Sequence, residues 1–559
     1  MFRKIKTHKR DFVFLRKILK TLSKDLKISL NKVHKISLTS RQWALILKGW
    51  IDYYLVIVFY YWRLEKKNKK KLLRNTIFFD SFKKNHIHYL YSNHFKKNIL
   101  KDIVLFKKKK LLDNQIKLNN NNLNFLIRED KFNNTNTIVV FFLKKFLYKI
   151  TRLILKVIPK VSINHLLLKT CYSTNFLSKI YGKKYYLIIY YFYFVNTLNY
   201  MLVFFGEKDF EKRFLFAKEL EKKTIKIKNK SFKKYLYYRI SKDFPVYALE
   251  SFKIFFFKTV DVFKANKVIT SYLLNSLNNY AKFWLVKSIK KTKIYYIEYG
   301  GAFRKDFLGR KMKEYITEKH ITWFKAKKKK QKQIYFNPLL YKYPRDTKSD
   351  LNPESNNLGI ILKHCTITNS YLVKGASFED SFEILENLKK LKTLLRSDIS
   401  KNFLIKNPIH LNEKNNPHII YKKYFGLNSF FSTKKTNLYE INKDFYNKCR
   451  LIITVYPETT FSELTIVNKP FFCYFKYSYS NFLKEDLNII KAFEKAKILF
   501  NNPLKLSKHI NSVWDNPSNW FYSESNQEIL NLFRKRYLGA KSNYTILRKD
   551  KFKKFFNII

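Results

Sequence analysis

Two short stretches hold residues whose types and spacing suit chemistry. In "LIITVYPETTFSEL" an apolar run, Leu451 to Tyr456, is followed by Pro457 and Glu458, then by Thr459, Thr460 and Glu463. The pattern predicts a strand, a tight turn and a short helix with Thr459 as its N-cap. A helix N-terminus at the carboxyl end of a parallel strand presents free amide N–H groups and the positive end of a dipole, which suits a diphosphate. The Thr459 and Thr460 hydroxyls add donors, and Glu463, one turn on, is placed to accept from ribose or sugar hydroxyls. A plain capped helix meets the same spacing. The second stretch, "KIYYIEYGGAFRKDF", runs a strand into Gly300 and Gly301. Paired glycines there allow close backbone approach to a ligand, and equally an ordinary turn. Glu298 and Tyr299 are the neighbouring groups with proton chemistry.

The chain has no P-loop, dinucleotide GxGxxG, nucleophile-elbow GxSxG or HExxH motif, and no Asp-x-Asp diad in its candidate site segments. No metal or cofactor is therefore expected. A diphosphate leaving group would rely on a helix dipole and on cations, for which Arg396 and Arg450 are candidates. Arg396 follows a helical run and could equally satisfy that helix's last carbonyls. Cys171, Cys365, Cys449 and Cys473 are isolated, which suggests neither a zinc site nor a disulfide framework and fits a reducing compartment.

These stretches need a scaffold. A chain of 559 residues, 46% hydrophobic and 18% aromatic, exceeds one ordinary core and suggests two or three domains. With 113 Lys plus Arg against 41 Asp plus Glu, the net charge is +72. Such a field draws nucleic acid, anionic lipid or phosphorylated small molecules without choosing among them. Part of the excess fits an AT-rich genome, since lysine is cheap at a surface.

Residues 10 to 65 read as packed helices, and the N-terminus lacks the apolar core of a signal peptide. From Lys66 to about Asn136 the Lys- and Asn-rich sequence reads as loops around short strands such as "TIFFD". Tyr185 to Gly206 is 22 residues without a charge, but its tyrosines and its Asn196, Thr197 and Asn199 favour a buried or membrane-interface element over a span. Beyond Lys230, helical stretches such as "YALESFKIFFFKTVDVF" and "SLNNYAKFWLVKSIKK" alternate with "NKVITSY" and "KIYYIEYGG". "FKAKKKKQKQIYFNP" reads as a linker, and a second alternation starts at "LGIILKHCTI" and continues through "FEDSFEILENLKKLKTLL". Both alternations predict parallel α/β sheets.

Taken in order, these segments resemble a family of transferases found in bacterial surface-carbohydrate loci. The resemblance rests on the Trp-containing run "RQWALILKGWIDYYLVIVFYYW", the Pro-x-x-x-Leu-Glu segment "FPVYALESF", "NKVITSY", "KFWLVKS", the "EYGG" turn, "HITWF", "TTFSEL" and the tail "SKHINSVWDNPSNWF". It implies a GT-B-like fold: two Rossmann-like domains facing a cleft, preceded by an N-terminal helical block. It further implies transfer of a sugar or related group from a nucleotide-activated donor to a saccharide or lipid-linked acceptor. Where the family has Gln-His-Gly-Gly, this chain has Glu298-Tyr299-Gly300-Gly301, so the histidine that would be carried over is absent. The family's additional first segment, with its first strand, also has no counterpart here.

The expected domains are 1–355, the helical block with an acceptor-side α/β domain; 356–545, the donor-nucleotide domain; and 546–559, a basic tail. Glu298 and Tyr299 are the catalytic candidates, and Thr459, Thr460, Glu463, Arg396, Arg450, Gly300 and Gly301 the donor-binding ones. A cytoplasmic enzyme is expected, with peripheral contact to the anionic inner face of the cytoplasmic membrane left open. The competing reading is a basic RNA-binding protein, such as an organelle-encoded ribosomal component, in which lysines meet phosphates and aromatics stack on bases.

Overall fold

A computed structural model describes residues 5–64, 98–106, 137–168, 183–205, 209–270, 279–297, 315–322, 333–335, 355–362, 378–406, 418–433, 438–475 and 477–538, with short breaks. The chain forms two compact units, Met1–Ile297 with Arg310–Glu318, and Glu298–Gly309 with Lys319–Ile559. The strand expected at "TIFFD" and the basic tail lie outside the described residues.

The N-terminal unit opens with α1 (Ile5–His34) and α2 (Ser40–Leu64), long helices whose apolar faces meet. Trp43, Trp50 and Trp62 of α2 are all buried. The Trp43 indole donates to Asn31 Oδ1 at 2.8 Å, the partner a buried N–H requires. Described residues between 98 and 106 are helical, and Ile99, Ile103 and Phe106 are core, so part of the segment read as loops is a packed helix.

Next come α3 (Thr137–Val157), β1 (Val161–Leu168), α4 (Lys183–Phe205), α5 (Glu211–Thr224), α6 (Phe232–Asp243), β2 (Phe263–Thr270), α7 (Asn279–Ser288) and β3 (Lys293–Ile297). β1 was not anticipated; it pairs in parallel with β2 along its whole length, and β2 with β3. Trp284 of α7 donates to the Phe263 carbonyl at 3.0 Å and fixes that helix on the sheet. The "YALESFKIFFFKTVDVF" segment is not one helix but a 3-10 turn, Val246–Ala248, and a π-turn, Ile254–Lys258. A buried charge explains the break. Glu250 accepts from Arg213 Nε, while the rest of that guanidinium donates to the carbonyls of Ser241, Lys242 and Phe244, which end α6. The Pro-x-x-x-Leu-Glu segment is therefore an internal clasp.

β4 (Lys319–Thr322) and β5 (Gln333–Tyr335) pair in parallel, so the basic stretch read as a linker contains a strand. Within the N-terminal unit the strands are paired in chain order, β1-β2-β3.

The C-terminal sheet is wound differently. Its strands are β6 (Leu358–Ile361), β7 (Phe403–Lys406), β8 (Leu451–Thr454), β9 (Phe471–Tyr474) and β10 (Leu499–Phe500), hydrogen-bonded in the order β10-β9-β8-β6-β7 with every pairing parallel. Connecting them are α8 (Phe378–Leu394), α9 (Ser397–Lys401), α10 (His418–Phe425), α11 (Leu438–Asn447), α12 (Thr459–Val467) and α13 (Leu487–Lys495). α14 (Pro503–Val513), α15 (Pro517–Phe521) and α16 (Glu524–Phe533) complete the unit. Strand β8 is interior, as the sequence predicts. Its four residues are all buried, the continuous apolar run of a parallel strand covered on both faces.

Among the described residues no single helix is long and apolar enough to cross a membrane; a bent pair, Ser40–Leu47 with Gly49–Arg63, passes by length and composition only and is largely core.

Candidate functional site

The order of the C-terminal sheet reverses at β6: the chain goes from β6 to β7 on one side, then crosses back to β8 on the other. In open parallel sheets such a reversal parts the connections above adjacent strand ends and leaves a crevice at their carboxyl ends. Here that place is above Ile361 and Thr454, which are register partners.

The segment leaving β8 is the strand-turn-helix of the sequence. Val455 N–H donates to the Ile361 carbonyl at 3.3 Å, and Thr454 Oγ1 donates to the Tyr456 carbonyl at 2.8 Å, bending the chain. Pro457 disfavours helical backbone at the residue before it, so the helix waits until Thr459. Thr459 is thus the first helical residue and not the N-cap, and Glu458 lies outside the described residues. Thr459 and Thr460 are half-buried at the first turn of α12, whose leading N–H groups have no partner within the helix.

The rest of α12 is anchored firmly. Phe461 is wholly buried, edge-on to Phe471, Phe493 and Phe533 at centroid distances of 5.1, 5.3 and 5.1 Å. Asn468, with φ of 57°, ends the helix in the left-handed conformation that asparagine tolerates. Arg534 donates to the Thr465 carbonyl at 3.0 Å and to Asn468 Oδ1 at 2.6 Å, holding that end.

Glu463 is buried, and Asn442 Nδ2 and Tyr446 OH donate to its Oε2 at 3.0 and 3.2 Å. Asn442 and Tyr446 stand four residues apart on α11 and so share a face. Lys406, the last residue of β7, donates to Asn442 Oδ1, so a lysine, an amide and a carboxylate line up beneath the strand ends. Burial pulls the Lys406 ammonium down to about 8, opposed by the Glu463 charge. Sequence reading missed Lys406; its signal is a lone lysine closing the apolar strand "FLIK". Through these two bonds Glu463 ties α12 to α11.

The two arginines lie elsewhere. Arg450 precedes β8, at the amino end of the sheet: its N–H donates to the Asn357 carbonyl at 2.9 Å and its guanidinium lies 5.7 Å from the Trp514 ring centre. Arg396 caps α9, just before β7 begins, and forms ion pairs with Asp398 and Asp515, both at 2.8 Å. Those carboxylates hold its guanidinium above its ordinary pKa. Strands β7 and β8 run from these arginines toward Lys406 and Thr454, so the sheet separates both from the threonine turn. Spacing along a sequence does not say at which end of a strand a residue falls.

Glu298, Tyr299, Gly300 and Gly301 lie outside the described residues. Among the described residues no group of three or more His, Cys, Asp or Glu side chains is placed to hold a metal ion. Cys449 and Cys473 are free and buried, and burial pushes the Cys449 thiol up to about 12, far from a reactive thiolate.

A search of curated proteins finds no match. A family model described as "LIC12162 family transferase" matches residues 1–552, nearly the whole chain. On that match, with an α/β architecture of parallel sheets beneath it, the chain belongs to the LIC12162 family of transferases.

Proposed function

We propose that this transferase is glycosyltransferase-like and moves a sugar or related group from a nucleotide-activated donor in surface-polysaccharide biosynthesis. The fold would be GT-B-like, with residues 356–545 as the Rossmann-like donor-nucleotide domain. The observation that carries the reading is the reversal of strand order between β6 and β8, with the N-terminus of α12 directly after β8. That arrangement aims unpaired amide N–H groups and a helix dipole at the place where parallel sheets bind nucleotides.

In this scheme the α12 amides and the Thr459 and Thr460 hydroxyls take the diphosphate. Glu463, held through Asn442 and Tyr446, fixes the helix that presents them. Lys406 replaces Arg396 and Arg450 as the cation at the carboxyl end of the sheet. A saccharide or lipid-linked acceptor would enter past Gly300 and Gly301, with Glu298 or Tyr299 moving the proton.

Calorimetry with a panel of nucleoside diphosphate sugars tests this. At least one donor should bind, and Thr460→Val should weaken it by about 1 to 2 kcal/mol, the worth of a hydrogen bond to a charged group. Binding should survive EDTA, since the helix end and Lys406 supply the positive field. Unchanged affinity in Thr460→Val would remove α12 from the site, and strict metal dependence would refute this account of charge stabilisation.

A further inference from the structure

Two helices of the N-terminal unit carry large apolar side chains on the face turned away from the core. In α3, Thr151 and Leu155 are buried, whereas Leu153 and Val157 are 61% and 81% exposed. Phe146, Ile150, Leu153 and Val157 fall at i, i+4, i+7 and i+11, a single stripe opposite Leu155. Lys145, Lys149, Arg152 and Lys156 repeat that spacing one position earlier, and all four are exposed. One residue is about 100° around a helix, so a basic row borders the apolar stripe along its length.

Helix α4 packs against α3, and the Tyr191 hydroxyl donates to the Pro159 carbonyl at 2.7 Å just beyond the α3 end. It buries Phe192, Val195 and Asn199 and turns Leu187, Tyr190, Phe194 and Met201 outward, again as one stripe. Leu187 is 66% exposed. Single exposed leucines are ordinary, but apolar stripes on two adjoining helices are the mark of an interaction surface.

We propose that α3 and α4 dock this protein on an anionic phospholipid bilayer. The stripes would sit at the level of the acyl boundary and the Lys145, Lys149, Arg152 and Lys156 row on the lipid phosphates. Charge selects this occupant. A second copy meeting the same surface about a two-fold axis would bring basic rows into the same interface, and the chain as a whole carries +72. Nucleic acid would satisfy the basic row and leave the stripes wet. The mode is lying on the membrane and not crossing it, since among the described residues no single helix is both long and apolar enough for a span.

Flotation of the full chain with vesicles tests this, comparing pure phosphatidylcholine with phosphatidylcholine carrying about one third phosphatidylglycerol. The anionic vesicles should bind at least tenfold more tightly at low salt, and the preference should fall as salt shortens the Debye length. Leu153→Glu with Val157→Glu should lower that binding at least tenfold. Lys149→Ala and Lys156→Ala should each lower it about fivefold. These positions are exposed, so the thermal melts of all variants should overlay that of the parent. Equal partition into both vesicles, or full binding by the Leu153→Glu, Val157→Glu variant, would overturn the proposal. So would a dimer in solution that this variant converts to monomer, which would make the surface a self-interface.

Discussion

The two parallel sheets share a composition of aromatic and β-branched strands, yet they are wound differently. The N-terminal sheet keeps chain order, β1-β2-β3, whereas the C-terminal sheet reverses between β6 and β8. Among the described strands only the second therefore has a switch point, and the Pro-Glu-Thr-Thr turn leaves the strand beside it. The polar residues differ accordingly. In the N-terminal unit buried charge closes on itself, as Arg213 does with Glu250 and Arg239 with Asp243 and Asp102. In the C-terminal unit Lys406, Asn442 and Glu463 form a buried hydrogen-bonded row that joins the end of β7 to α11 and α12. Under the proposed function, the comparison teaches that a buried charge marks a site only where the strand order reverses beside it.

The largest expected effect is on the self-contained charges. Arg213→Ala leaves Glu250 buried without its partner and should cost about 3–5 kcal/mol in urea unfolding. Nucleotide affinity of the protein that remains folded should not change. A coupled loss of affinity would break the contrast between the two regions.

The next is a pH effect shared by both units. Burial lowers Lys282, Lys406 and Lys469 to about 8 from 10.5, so between those values the unfolded chain binds more protons than the folded one. Stability then rises with pH in that window, by at most about 3.5 kcal/mol for each lysine at about 1.4 kcal/mol per unit. Near pH 10 the trend should turn, because burial raises Tyr237 and Tyr280 in the fold while the unfolded phenols ionise. A melting temperature that climbs from pH 7.5 to 9.5 is the expected observation, with a shallower climb in Lys282→Met; a flat profile would mean that these ammonium groups are solvated.

A smaller effect sits in the switch strand. A Cβ on Gly359 would lie 2.5 Å from Cys449 Sγ and 3.1 Å from Phe445 Cζ. Gly359→Ala should cost about 1–3 kcal/mol by overpacking β6 against α11. Adding Cys449→Ala should recover part of it, and strictly additive losses in the double variant would contradict the packing.

Much of this architecture was legible in the sequence. "LIITVYPETTFSEL" announces a buried strand, a breaker and a helix, and the structure has all three in place. The α/β alternations around β2, β3, β6 and β8 were equally plain. Helix and strand boundaries failed where tertiary contacts overrule local pattern. Glu250, drawn into the Arg213 clasp, breaks a stretch whose apolar spacing reads as helix. β1, "VSINHLLL", has its polar residues Ser162, Asn164 and His165 out of clean alternation, and only its pairing with β2 reveals it. For the site, spacing singles out the threonines and Glu463 as candidates, and the proposed function keeps the threonines at the first turn of α12. The arginines fall at the amino end of the sheet because the end a residue occupies depends on strand direction, and Lys406 does not stand out in the sequence because its neighbours come from separate elements.

Hydrogen exchange with and without a bound nucleoside diphosphate sugar tests the central claim most directly, since it reports which end of the C-terminal sheet the ligand covers. The account predicts added protection at the amides of Val455 to Glu463, at the carboxyl end of β8, and none in Arg396 to Asn402 or Lys448 to Leu451 at the amino end. Protection confined to the arginine end, or a bound nucleotide that leaves Val455 to Glu463 unchanged, would contradict it.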